Sequence, residues 1–526
     1  MSAPTFDKIN PSTGNLLASY EITTPQAVCE ALQKSKAAQQ FFAESTLQQR
    51  ARLLKTITDS LYQQADALAD VICAETGKPR SDALESDLGV AIGIMRYYAE
   101  VGPKTLSPQS IAPDLMSLLA GRSHQEVFHP RGVIGIISPW NYPLAIPASG
   151  IAACLMAGNA VVLKPSELAP ETGKRLGETI REVCKDQELP PDLVQVVLGD
   201  GSTGAALVVG AIDGLIFTGS EATGRKVAEQ CAARGVWSSL ELGGSDAMLI
   251  LDGCDLERAA SYALWGRFTN AGQACAAVKR LLVPQHSLEK MLRLLQCKIS
   301  QLSVGSPDQP GSHYGPLISA RQLELLEAQV QDALQKGAKL ITGGERLERP
   351  GYFYAPTLLA HVPAQARILQ EEVFGPVLPV IPYQTTDEAI TLINASEYGL
   401  TANVFGPPAQ AKAIARKLHC GTVLINDIGA SNYAMSCAPW GGWKKSGHGV
   451  SHGAQTLREL SLRKVVSVNQ RFNWPLLDKP LWLFGKPDVS TEDRSRAVLA
   501  FASRHLRMFH PKVWLAFWRH RSSTRI

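Results

Sequence analysis

Two positions in this 526-residue chain combine residue type and setting in a way that suits covalent chemistry. Cys275 follows Gly272, Gln273 and Ala274, a small and flexible approach that leaves the sulfur open to a ligand. Glu241 closes an apolar, strand-like run and is followed by Leu242, Gly243 and Gly244. A thiol with an open face and a carboxylate at a strand end are the parts of a nucleophile and its general base. Neither is informative alone, because free cysteine is among the most often buried residue types and is usually inert.

Phe268-Thr269-Asn270-Ala271-Gly272-Gln273-Ala274-Cys275 and Glu241-Leu242-Gly243-Gly244 together resemble the nucleophile motif F-x-N-x-G-Q-x-C and the base motif E-L-G-G of the aldehyde dehydrogenase family. Both match without a gap, and the resemblance extends from about Ile9 to about Asn469. Five further motifs stand in the family's order. Pro139-Trp140-Asn141-Tyr142-Pro143 reads alone as a proline-bounded turn; the resemblance makes Asn141 the amide donor to a developing oxyanion, beside the Cys275 backbone N–H. Lys164-Pro165-Ser166-Glu167 reads alone as a capped helix start. The resemblance assigns Lys164 and Glu167 to the adenosine ribose of a dinucleotide, which favours NAD over NADP because a carboxylate repels a 2′-phosphate.

Phe217-Thr218-Gly219-Ser220-Glu221-Ala222-Thr223-Gly224 is an ordinary strand-to-helix turn by itself, and its G-x-x-x-x-G spacing is weak evidence. By resemblance Gly219, Ser220 and Gly224 form the pyrophosphate loop, with backbone donors at a helix N-terminus. Glu371-Glu372-Val373-Phe374-Gly375-Pro376 reads alone as an acidic turn, and the resemblance sends Glu372 to the nicotinamide ribose and Phe374 to the ring. It adds Trp140 and Leu242 to the cofactor contacts. Pro439-Trp440-Gly441-Gly442-Trp443-Lys444-Lys445-Ser446-Gly447 matches a late family loop, with a structural role expected.

The cycle that the resemblance implies begins with attack of Cys275 on an aldehyde, giving a thiohemiacetal. Hydride then passes to the nicotinamide, and the thioester is hydrolysed by water that Glu241 deprotonates. Lys164 is expected to help keep the thiolate charged. Alternatives are a semialdehyde dehydrogenase, a variant releasing acyl-CoA (disfavoured by the intact Glu241), and a non-catalytic binding or structural member of the fold.

These residues need a scaffold, and the chain's texture supplies one. From Thr24 to about Tyr98 the pattern is helical, with Leu47, Arg50, Leu53, Leu54, Ile57 and Leu61 on one face and a capping box expected from Ser45 and Gln48. Strands at Val133–Ile137, Ala160–Leu163, Leu193–Leu198, Leu215–Thr218 and Ala247–Leu251 alternate with helices near 148–157, 170–184, 203–209 and 221–233. That alternation predicts a parallel sheet covered on both faces, with ligands at the carboxyl ends of its strands. A second series predicts helices near 257–268, 287–302 and 320–336 and strands at Leu281–Val283, near 357 and at 377–382. The expected class is α/β, with a Rossmann-like cofactor domain (1–115 and 131–243) and an α/β catalytic domain (244–457), to which the resemblance adds a small β oligomerisation element (116–130 and 458–470). The resemblance makes the assembly a homodimer or homotetramer.

Composition narrows the function classes. Hydrophobic residues make up 45% of the chain and charged residues 19%, as in a folded soluble protein. Arg494–Ile526 holds eight Lys or Arg and no acid; removing those eight from the formal +4 leaves the body near −4, which gives no reason to expect nucleic-acid binding. Ten scattered cysteines without C-x-x-C or zinc spacing predict reduced thiols and no metal site. No leader-like start or membrane-spanning run is evident, so the expected compartment is the cytoplasm. The extension 471–526 has two readings: a helix packed on a partner subunit, or, through 490–526, a basic amphipathic segment at an anionic membrane surface. The second suits a long, lipophilic aldehyde.

Overall fold

The computed structural model describes residues 4–114, 117, 122–429 and 433–469, so the readings of the basic extension fall outside the described residues. Contacts divide the chain into a larger unit, running to Ser107 and again over Phe128–Arg463, and a smaller one of Pro108–Val127 and the chain from Lys464.

The larger unit begins with the hairpin Thr5–Ile9 and Leu16–Glu21, turned at Asn10–Gly14. A helical layer follows: Pro25–Ala43, Leu47–Gln63, Ala65–Thr76 and Val90–Leu106. Leu53, Leu54, Ile57 and Leu61 of the second helix are fully buried, as their spacing requires. Its capping box is one residue later than expected. Thr46 takes the extended conformation, its hydroxyl accepts from Gln49 N (3.2 Å), and the Gln49 side chain accepts from Thr46 N (2.8 Å). Ser45 instead donates to the Phe42 carbonyl and accepts from Arg50 Nε, so it is occupied in closing the preceding helix.

Two sheets carry the rest. The first has the strand order Gly447–His448, Trp237–Glu241, Gly214–Thr218, Val133–Ile137, Ala160–Lys164, Val194–Val196, parallel except for Gly447–His448. The order reverses beside Val133–Ile137, which opens a crevice at the carboxyl ends of the central strands. The helices Ala145–Met156 and Pro170–Asp186 cover one face together with the N-terminal layer. Val28, Leu32, Leu207 and Val227 cover the other.

The second sheet runs Lys339–Thr342, Thr357–Ala360, Val377–Tyr383, Arg280–Pro284, Ala247–Ile250, Thr401–Phe405, Thr422–Ile425, parallel except at its Lys339–Thr342 edge. Separate apolar clusters bury its two faces. Unlike the first-sheet motifs, Cys275 and Glu372 precede their strands, so they lie at amino ends of this sheet. Gln109–Ile111, Arg122–Pro130 and Ser461–Asn469 form a separate three-stranded sheet, and its edge strand Ser461–Asn469 exposes Leu462, Val465, Val466 and Val468. Among the described residues no helix is long and apolar enough to cross a membrane.

Candidate active site

The loop bearing Cys275 is held in a conformation that few sequences tolerate. After the helix Leu256–Phe268, Asn270 (φ 52°), Ala271 (φ 54°) and Gly272 (φ 72°) are consecutively left-handed. Such strain persists only where surroundings over-determine it. Here the Gln273 amide donates to the carbonyls of Asn270 and Pro316 and accepts from Ile318 N, a buried three-way anchor. At Gly272 a Cβ atom would stand 2.4 Å from the Gly375 carbonyl oxygen, so glycine is required by space as well as by φ.

Asn141 comes to this loop from the end of Val133–Ile137. Its Nδ2 donates to the Gln273 carbonyl at 3.0 Å, which orients the amide and leaves its second N–H uncommitted; its Oδ1 is buried and unpartnered. Asn270 Nδ2 reaches both the Asn141 carbonyl (3.0 Å) and the Gln273 carbonyl (3.3 Å).

Glu241 ends Trp237–Glu241. Trp440 Nε1 donates to its Oε2 at 3.1 Å, while Oε1 is buried with no partner. Burial raises the carboxyl to about 8, with the indole N–H opposing. Cys275 is partly buried, and desolvation pushes its thiol up to about 12, against the attraction of Lys279. Cys275 and Glu241 line one cavity of about 650 Å³, open solvent at its mouth included, with Ile146, Ile216, Trp237 and Tyr433 among its walls. Glu241 is the one ionisable carboxyl in that lining, and no Lys, Arg or His belongs to it among the described residues.

Lys279 is a participant that sequence reasoning missed. Its side chain is almost wholly buried, donating to the Cys275 carbonyl (2.6 Å) and to Glu372 Oε1 (3.0 Å). The cation acting on the thiol is therefore Lys279. Lys164, expected in that role, instead pairs with Glu167 at 3.0 Å at the carboxyl end of Ala160–Lys164. In sequence Lys279 looks like any charge on a loop, and only burial distinguishes it. Trp440 was equally hidden inside a motif read as structural.

The other expected residues fall into two groups. Glu372 is fixed by Lys279 and by Gly244 N (2.9 Å), and the Trp140 and Phe374 rings meet edge to face at 5.8 Å. At the first sheet, Gly219 N bonds the Glu241 carbonyl, and Ser220 begins the helix Glu221–Ala233 with its hydroxyl on Thr223, not on a backbone N–H. Gly224 sits so close to Leu242 that a Cβ would meet its side chain at 2.3 Å. An uncapped start on a 13-residue helix and an accessible strand-end carboxylate at Glu167 fit the pyrophosphate and ribose of a dinucleotide. Among the described residues no cluster of three or more His, Cys, Asp or Glu is placed to hold a metal ion.

Comparison with known proteins gives consistent results. The model of the aldehyde dehydrogenase family matches residues 1–466. A 4,4'-diapolycopene aldehyde oxidase of Methylomonas sp is 36% identical over 87% of this chain and 84% of its own length. A putative NADP(+) succinate-semialdehyde dehydrogenase of Mycolicibacterium smegmatis is 36% identical over 90% of each chain. Among solved structures, an NAD+ complex of a Bacillus cereus aldehyde dehydrogenase superposes with a TM-score of 0.84 at 32% identity, covering 89% of this chain and 94% of that one.

Proposed function

The chain belongs to the aldehyde dehydrogenase family, and we propose that it oxidises an uncharged, apolar aldehyde to the carboxylic acid through a thioester on Cys275. The observation that carries this reading is the shared cavity. Cys275 and the buried carboxyl of Glu241, whose Oε1 has no protein partner, both line it.

A dinucleotide, when bound, would supply the hydride acceptor; Lys164, Glu167, Gly219, Ser220, Gly224 and Leu242 would hold its adenosine and pyrophosphate end, and Trp140, Glu372 and Phe374 its nicotinamide end. NAD is the preferred form, since Glu167 accepts from a 2′-hydroxyl and repels a 2′-phosphate. Cys275 attacks as the thiolate, its proton given up to solvent, and Sγ bonds the aldehyde carbon. The uncommitted N–H of Asn141 and the Cys275 amide take the oxyanion of the thiohemiacetal. Once the carbon is at the thioester level, Glu241 deprotonates the water that attacks it, and the acid leaves with Cys275 restored.

The walls support an uncharged substrate. A semialdehyde carries a carboxylate that needs a cation, and the described lining offers none while it does offer Glu241. The relatives include both a 4,4'-diapolycopene aldehyde oxidase and a putative succinate-semialdehyde dehydrogenase, and the lack of a cation in the described lining favours the former kind of substrate. The three-stranded sheet with its exposed Leu462, Val465, Val466 and Val468 is the proposed dimerisation edge.

Rapid-mixing measurement of NADH tests the cycle. With Glu241→Gln, a burst of about one NADH per site is expected, followed by turnover slowed roughly 100-fold. Cys275→Ala is expected to lose the burst and still bind the dinucleotide. Parallel loss of burst and turnover in Glu241→Gln removes its role in deacylation.

A further inference from the structure

Lys78 and Asp87 form an ion pair at 2.6 Å with both side chains wholly buried. Pairs of this kind repay little of their desolvation and are weak contributors to stability, so this one needs another explanation. Its remaining partners supply it. Lys78 Nζ donates to the Asn141 carbonyl at 2.8 Å and stands 4.3 Å from the centre of the Tyr142 ring. The other Asp87 oxygen accepts from the backbone N–H groups of Leu144 (3.1 Å) and Ala145 (3.2 Å).

The two side chains thus hold residues 141, 142 and 144 of the turn between Val133–Ile137 and Ala145–Met156, together with Ala145 at the start of the helix. That helix receives no side-chain cap from Leu144, the residue before it; Asp87 caps it from a distant segment. Asp87 itself lies in a π-helical turn, Ala83–Gly89, a rare form that recurs at functional sites.

We propose that the Lys78–Asp87 pair is the positioning device of Asn141, setting the height and angle at which its amide meets the oxyanion. The proposal rests on the reading of Asn141 as oxyanion donor. Neither Lys78 nor Asp87 lines the cavity of Cys275 and Glu241. Their effect passes through the Asn141 main chain, where Lys78 is one of two side-chain donors to the carbonyl, Asn270 being the other. Removing Lys78 leaves that carbonyl on Asn270 alone and leaves Asp87 buried without its cation. An amide displaced by a fraction of an ångström loses most of its hold on a developing charge.

A double-mutant cycle on the full chain separates this role from a merely structural one. Asn141→Ala is expected to lower kcat roughly 100-fold or more, and Lys78→Met about 10-fold or more, with the KM for NAD near the wild-type value in both. In the Asn141→Ala background, Lys78→Met is expected to change kcat less than about twofold. Asp87→Asn keeps the shape and the acceptor toward Leu144 and Ala145, and it completes the same cycle if Lys78→Met does not fold. Losses that multiply overturn the proposal. If Asn141→Ala keeps wild-type kcat, the oxyanion reading itself fails and takes the proposal with it. The two failures are read from different variants.

Discussion

At Glu241 a single hydrogen bond and the loss of solvent act in opposite directions. Burial raises the carboxyl from the usual range to about 8, and the Trp440 indole N–H stabilises its ionised form. In its proposed role as general base Glu241 works only when ionised, so the deacylation rate is expected to rise with pH and level off above about 8. Trp440→Phe keeps the bulk and removes the donor. Its limb is expected to move roughly half to one unit further alkaline in a kcat–pH profile, and a shift toward acid contradicts the assignment. Cys275, pushed to about 12, is a thiol at neutral pH in the free enzyme. Its proton therefore has to pass to solvent before the carbon–sulfur bond forms.

Among elements, the nucleophile loop bears the greatest strain. Three left-handed residues in sequence are tolerable because Gln273 anchors the loop and because Gly272 lies against the Gly375 carbonyl. Gly272→Ala brings a Cβ into that carbonyl at a positive φ, so it is expected to destabilise the protein by about 2 kcal/mol or more. Activity is expected to fall by at least about 10-fold, because the loop 372–375 carries Glu372 and Phe374. Unfolding midpoints in urea and steady-state kinetics check both; a neutral variant means that the loop relaxes freely. The helical stripe from Leu47 to Leu61 was legible as a pattern, whereas the choice between Ser45/Gln48 and Thr46/Gln49 as capping box was not. Adjacent residues of the same chemistry offered the same spacing, and the end of the preceding helix had already used Ser45.

For the whole molecule, the cavity makes a statement about substrates. Efficiency in NADH formation is expected to climb with the length of straight-chain aldehydes, by about 3-fold per methylene while the chain stays inside, and to be at least 100-fold poorer for succinic semialdehyde. An optimum at the semialdehyde contradicts the apolar reading and points to a cation beyond the described residues. The small sheet carries a separate expectation: Val465→Lys with Val468→Lys should convert the assembly to monomers in light scattering, since charges on an apolar strand edge oppose pairing.

By itself the sequence marked the candidates for chemistry and roughly what scaffold carries them. A nucleophile loop, a strand-end glutamate and alternating strands and helices are local patterns, written in neighbouring residues and their periodicity. The tertiary structure decided how those residues are tuned. Lys279 on the Cys275 carbonyl, Trp440 on Glu241 and Lys78 on Asn141 join positions up to 199 residues apart. Their force comes from shared burial, where a hydrogen bond or a charge is worth several times its value in water. Burial and long-range partnership are properties of the folded chain alone, which is why the cysteine and the glutamate were legible and the residues that govern them were not.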